Sequence, residues 1–232
     1  MPVLPIGRIP AYWAAQDTDK PAITHEGRTV SWGAFDAATN RLARAYAALG
    51  VKEGDLVTIG LPNGIGFYEA CFATWKLGAT PQPISARLPL AEREMIVEVA
   101  APSLVVGAPA GAHGNVTCID AGFTPDASLS DAELPEKTAL YWKAPTSGGS
   151  TGRPKIIVSN EPGAFDPLAV SLQQETGRAQ LVPGPLYHNG PFSFSMHGLM
   201  RGNHIIVMTR FDAEETLSLL AQHRVDWVML VP

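Results

Sequence analysis

Thr146-Ser-Gly-Gly-Ser-Thr-Gly-Arg-Pro-Lys155 is the stretch on which the reading of this chain turns. Hydroxyls at Thr146, Ser147, Ser150 and Thr151 are interleaved with Gly148, Gly149 and Gly152, and Lys155 follows Pro154. Glycines let successive backbone N–H groups turn toward a single anion, forming a concave nest for phosphate oxygens. The hydroxyls add donors and the lysine adds a point charge. A flexible Ser/Gly linker has a similar composition. Here, however, strand-like runs lie tightly on both sides, and the loop ends in a rigid proline and a cation. A Walker-type loop requires GxxxxGK[ST] at the start of a helix. Lys155 instead precedes Ile156-Ile-Val-Ser159, β-branched strand material, so the local pattern is strand–loop–strand.

Outward from the loop, helical and extended segments alternate. Thr138–Ala144 reads as the strand entering the loop. Ser31 caps a helix running to Leu49, with Phe35, Leu42, Ala45 and Leu49 on one face and Gly50 as its stop. Asp55–Leu61 is a strand-type run, broken at Asn63 and Gly64, and a helix then runs to Leu77 and Gly78. The spacing predicts an extended stretch at Ala79–Ile84, a helix from Pro89 to Ala100 and a strand at Ser103–Val106. Residues 107–137 read as one short strand, Val116–Ile119, in a long exposed connection. Asp212 caps a helix to His223, and Asp226–Val231 is expected to form a final buried strand. This alternation predicts an α/β fold of layered, largely parallel sheets flanked by helices.

The 232 residues are 46% hydrophobic and 17% charged, enough apolar material for a sizeable core. A net charge of −5 leaves no basic excess for nucleic acid or anionic lipid. No apolar run approaches a membrane span, and no signal peptide is visible, so the expectation is a cytoplasmic protein. The cysteines, Cys71 and Cys118, have no CxxC spacing, and Cys71 reads as a buried small hydrophobe. No histidine pair has zinc-site spacing, and His197 and His204 are not expected to form a metal site. Trp75, Trp142 and Trp227 read as core, and Glu92, Arg93 and Glu94 as a solvated helix face. Phe192, Phe194 and Met196 suit either core or pocket wall.

Ser147–Lys155 resembles the phosphate-binding signature of the adenylate-forming superfamily, which includes acyl-CoA synthetases, peptide-synthetase adenylation domains and luciferases. Gly148 stands where a serine or threonine is commoner. Ser31-Trp-Gly-Ala-Phe through Gly50-Val-Lys-Glu-Gly-Asp55 resembles that family's opening helix and its turn into the first core strand. Ala73–Pro83 resembles its next helix and strand, and Pro185-Leu-Tyr-His-Asn-Gly-Pro191 the segment beside its acyl pocket. The run Tyr187–Phe192 looks most like ligases for bulky acids of bile-acid or steroid type.

The resemblance implies a two-step reaction on a small-molecule carboxylic acid. ATP and the acid give an acyl-adenylate and pyrophosphate, and coenzyme A then gives the thioester. It implies a nucleotide site at Ser147, Gly148, Gly149, Ser150, Thr151, Gly152 and Lys155, with Ser147 meeting the Mg2+ that accompanies ATP. Tyr187, His188 and Asn189 are the implied substrate-binding residues, His188 shaping the acyl site or gating access to it. No catalytic side chain and no resident metal site is assigned. The family's aromatic-Gly-x-Thr-Glu segment, ribose-binding aspartate and C-terminal lysine have no counterpart here. The expectation is therefore that residues 1–232 are a partial N-terminal AMP-binding domain, inactive alone and paired with its own missing C-terminal half. An amino-acid adenylation domain and a non-catalytic nucleotide- or partner-binding module stay open, as does a homo-oligomer.

Overall fold

Short β-branched runs separated by helices fold, among the described residues, into two larger sheets and two two-stranded ones, with helices between and around them. The computed structural model describes residues 3–147, 153–169 and 174–230. The chain opens with β1 (Leu4–Pro5), a 3-10 turn, α1 (Ile9–Ala14) and a hairpin of β2 (Pro21–His25) and β3 (Arg28–Ser31). Then follow α2 (Trp32–Ala48), β4 (Leu56–Ile59), α3 (Ile65–Lys76), β5 (Thr80–Pro83), α4 (Leu90–Ala100), β6 (Leu104–Val106) and β7 (Thr117–Ile119). The later part holds β8 (Thr146–Ser147), β9 (Lys155–Ile156), β10 (Ala164–Phe165), β11 (Ala179–Val182) and α5 (Asn189–Met200). It ends with β12 (His204–Val207), α6 (Ala213–Gln222) and β13 (Trp227–Val228).

One sheet has the order β5-β4-β6-β7, all parallel; the other has the order β13-β11-β12-β2-β3, parallel except for β3. The α/β architecture expected from the sequence is therefore present. Pro81 and Pro83 sit in β5, the edge of the four-stranded sheet, where missing N–H groups break no ladder. Helix α3 packs on β4 and β5 of one sheet and on β2 of the other. Its side chains Phe67, Tyr68, Cys71, Phe72 and Trp75 are all buried, as befits a helix apolar all round. Cys71 is fully buried, as its apolar surroundings in the sequence indicate. Tilted and edge-on rings form a ladder through Trp13, Trp32, Phe35, Phe72, Trp75 and Phe192. Such pairs add about 0.5–1.5 kcal/mol each beyond burial.

The helix signals hold. Ser31 Oγ accepts from Ala34 N at 3.3 Å, and Asp212 Oδ1 from Glu215 N at 2.9 Å. Gly50 and Gly78 adopt φ +102° and +71° just past α2 and α3, the left-handed turn that favours glycine. On α2, Phe35 and Ala45 are buried and Leu42 and Leu49 half-buried. Lys76, at the end of α3, is buried and donates to Asp36 Oδ1 and Asn40 Oδ1 at 2.6 Å each, tying α3 to α2.

Several expectations are corrected. Thr138–Ala144 is not a strand: it makes separate backbone bonds to 159–163 and to Pro81, interrupted where Pro145 and Pro162 lack an N–H. The strand expected over Ile156–Ser159 is the two-residue β9. The final strand is also short and half-buried, and Trp227 is a half-buried ring stacked 5.3 Å from Phe194 rather than core. Arg93 is not solvated: its guanidinium donates to Gly107 O at 2.9 Å and Ala86 O at 3.0 Å, closing the turn before α4 against β6. Of the three residues left between core and wall, Phe192 and Met196 are core and Phe194 half-buried.

Candidate functional site

β8 and β9 form an antiparallel pair with Thr146 opposite Ile156 and Ser147 opposite Lys155. Two short strands thus flank the loop, β8 entering it in place of the expected Thr138–Ala144, and Ser147 and Lys155 stand at its two stems. Gly148, Gly149, Ser150, Thr151 and Gly152 lie outside the described residues. Lys155 is exposed.

The hairpin is held against the edge strand β5 by a relay of side chains. Thr58 Oγ1 on β4 donates to Gln82 Oε1 on β5, and Gln82 Nε2 donates to Thr146 Oγ1 at 2.8 Å. Upstream, Ala144 N donates to Pro81 O at 3.0 Å, Thr80 Oγ1 to Tyr141 O at 2.9 Å and Trp75 Nε1 to Trp142 O at 2.8 Å. The β5 edge left open by its prolines therefore serves as the dock for the segment entering the loop.

A second bracket sets the other wall. Asn63 follows β4; its Nδ2 donates to Gly184 O and Met208 O at 2.9 Å each, and its Oδ1 accepts from Leu186 N at 2.9 Å. One side chain thus ties the end of β4 to the ends of β11 and β12. Tyr187 and His188 come directly after this bracket. His188 is the N-cap of α5, without a side-chain cap bond, and Asn189 is the first residue of the helix.

The two walls enclose a cavity of about 490 Å³ lined by Lys143, Pro145, Thr146, Ser147, Ile157, Ser159, Tyr187, His188 and Asn189. The tertiary fold thus brings Ser147 together with Tyr187, His188 and Asn189, while Lys155 stays outside the lining. Tyr187 also borders a neighbouring space of about 550 Å³ between Ile84, Met95, Ser147 and Arg153, and an apolar trough of about 680 Å³. That trough runs past Leu61, Pro183, Phe211, Met229 and Leu230, at the C-terminal ends of strands from both sheets. Ligands of open α/β sheets commonly bind at such strand ends.

Lys143 is the residue the sequence reading missed. Its Nζ lies 4.2 Å from the centroid of the Trp142 ring and donates to Asn189 Oδ1 at 2.6 Å and to Ser193 Oγ. Burial pushes its pKa down to about 8, against the opposing pull of Glu161. A lone cation inside the apolar run Thr138–Ala144 was the signal available in the sequence. Nearby, His197 stacks on Trp142 at 5.2 Å and on Phe165 at 5.7 Å; burial, with Arg201 and Lys143 close by, lowers its pKa to about 4. Among the described residues no group of three or more His, Cys, Asp or Glu could hold a metal ion. No described helix is long and apolar enough to cross a membrane.

The family model described as AMP-binding enzyme matches residues 11–232. A feruloyl-CoA synthase of Amycolatopsis sp is 28% identical over 98% of this chain and 48% of its own length. The long-chain-fatty-acid–CoA ligase FadD13 of Mycobacterium tuberculosis is 28% identical over 84% of this chain and 43% of its own. The chain therefore spans about half the length of the curated relatives it matches. In fold it is similar to the N-terminal domain of FACL13 from M. tuberculosis, with a TM-score of 0.81 and 23% identity over 99% of this chain and 63% of that one. The chain belongs to the AMP-binding enzyme family.

Proposed function

We propose that residues 1–232 are part of the N-terminal AMP-binding domain of an ATP-dependent acid–thiol ligase. The parent enzyme joins a carboxylic acid to ATP as an acyl-adenylate, releasing pyrophosphate, and passes the acyl group to coenzyme A. One observation carries this reading: the hairpin bearing Ser147 and Lys155 shares a cavity wall with Tyr187, His188 and Asn189. A phosphate-type donor set therefore stands beside a pocket for a second reactant. Family membership and the CoA-ligase relatives support it further.

In this reading the nucleotide phosphates lie against Ser147, Gly148, Gly149, Ser150, Thr151, Gly152 and Lys155. The described donors fit such an anion: Ser147 on β8 stands opposite Lys155 on β9, a hydroxyl and a cation at the two stems of the loop. Mg2+ would accompany ATP, Ser147 being the residue that would hold it, and would supply charge neutralisation for the pyrophosphate leaving group. Tyr187, His188 and Asn189 border the acid. The apolar trough beside Tyr187 supports a bulky acid, and the bile-acid or steroid class suits the Tyr187–Phe192 run. Two unpaired, buried cysteines suit a reducing cytoplasm. The remainder of the parent enzyme supplies the ribose-binding and C-terminal groups.

The test is acid-dependent exchange of labelled pyrophosphate into ATP, with fatty, aryl and steroid acids, run on the chain alone and on the parent enzyme. Exchange by the parent with one acid class, lowered at least ~100-fold by Lys155→Ala, is the expected result, since one preorganised charge contact is worth about 3 kcal/mol. A parent that exchanges with no acid overturns the reading.

A further inference from the structure

The ammonium group of Lys143 is half-buried, and the pull of Glu161 on it does not offset the cost of that burial. It sits at the N-terminal end of α5, a twelve-residue helix whose N-cap, His188, offers no side-chain cap. That end carries partial positive charge, which disfavours a cation and favours an anion. Among the described residues no carboxylate lies within 4.0 Å of Nζ; its partners, Asn189 and Ser193, are neutral. Ser193 Oγ in turn donates to Asn189 O at 2.6 Å, so these partners are themselves fixed. An ammonium has three donors, and these contacts use two. The depressed pKa fits a partly buried charge with no carboxylate in contact, burial outweighing the more distant pull of Glu161.

The geometry points to Lys143 as a specificity-determining residue that receives the carboxylate of the acid substrate, its free N–H and the uncapped start of α5 converging on one anionic group in the cavity. This rests on the proposed acid-activating function and names the group that would hold the acid before it reacts. The carboxylate is favoured over a phosphate because Lys143 is braced by α5, on the Tyr187–Asn189 wall. The phosphate side already has its own cation, Lys155, on the hairpin. The Trp142 ring beneath Nζ, fixed by the bond from Trp75 to its carbonyl, holds the lysine stem in place.

The test separates charge from activity. Binding of cholate, palmitate and ferulate, each paired with its methyl ester, is measured by calorimetry on the full chain without ATP, for wild type, Lys143→Met and Lys143→Arg. Wild type is expected to favour at least one acid over its ester by about 10-fold or more, as for a desolvated charge pair. Lys143→Met should abolish the preference and Lys143→Arg restore most of it, with unchanged circular dichroism in both. Equal binding of acid and ester, no binding of either, or a preference surviving in Lys143→Met overturns the proposal. In the exchange assay, Lys143→Met should raise KM for the acid and leave KM for ATP unchanged; a rise for ATP instead assigns the lysine to phosphate and overturns it. Exchange that succeeds while Lys143→Met behaves as wild type removes this inference and leaves the function standing. An acid preference without exchange does the reverse.

Discussion

His197 lies between the Trp142 and Phe165 rings and His204 shares a 2.7 Å hydrogen bond with Thr24 Oγ1, and burial holds the pKa of each down at about 4. An unfolded histidine titrates near 6.5. Between those values the unfolded chain binds more protons than the folded one, so stability rises with pH there. The stabilisation is complete above about pH 6.5 and is lost as pH falls toward 4. Replacing His197 by Phe keeps a ring in the stack and removes the titration. Thermal unfolding at pH 7 and pH 5 should show wild type losing on the order of 1–2 kcal/mol more than H197F. Identical losses would mean that His197 is as easily protonated folded as unfolded.

At the scale of elements, Asn63 has the widest reach. It joins the end of β4 to the turn after β11 and the end of β12 with three hydrogen bonds, and so sets where Tyr187, His188 and the start of α5 lie. Two backbone carbonyls and one N–H lose their partner in Asn63→Ala, which should cost about 2–3 kcal/mol in urea unfolding. In the parent enzyme the same change should raise KM for the acid more than KM for ATP, because the hairpin is held separately through Gln82 and Thr146. Equal effects on both would show that the two walls move together. The sequence marked Asn63 only as a strand breaker, since its partners lie more than 120 positions away.

For the molecule as a whole, the N-terminal segment is closed against the end of α5. Trp13 Nε1 donates to Met200 O at 3.0 Å, and the Trp13 ring lies over Gly202, where a Cβ would fall 2.7 Å from it. Gly202 also has φ +77°, so a side chain there is both strained and obstructed. Gly50, at φ +102° with nothing nearby, isolates the backbone cost. Gly50→Ala is expected to destabilise by about 1 kcal/mol and Gly202→Ala by about 3 kcal/mol or more, read from urea midpoints. Equal costs would mean that the Trp13 contact yields freely and does not close the fold.

Local sequence sufficed wherever a few neighbouring residues decide the outcome. Ser31 and Asp212 carry their own capping oxygens, and Gly50 and Gly78 their own left-handed turns, so α2, α3, α4 and α6 were legible. The β-branched runs of β4 and β6 were legible for the same reason, as was the presence, though not the bounds, of a strand on each side of the hydroxyl–glycine–lysine segment. Helix α5 was hidden because Gly190 and Pro191 are residues that commonly break helices, although a proline in a helix's first turn removes only an N–H with no intrahelical partner. Arg93 and Trp227 were misplaced because burial depends on what packs above a face, and local pattern does not contain that. That Lys143 meets Asn189 and Ser193, that Gln82 holds Thr146, and that Asn63 bridges both sheets emerges from the folded chain alone. These pairs are far apart in the chain, and their meeting follows from two sheets closing on one buried helix, which no window of sequence contains.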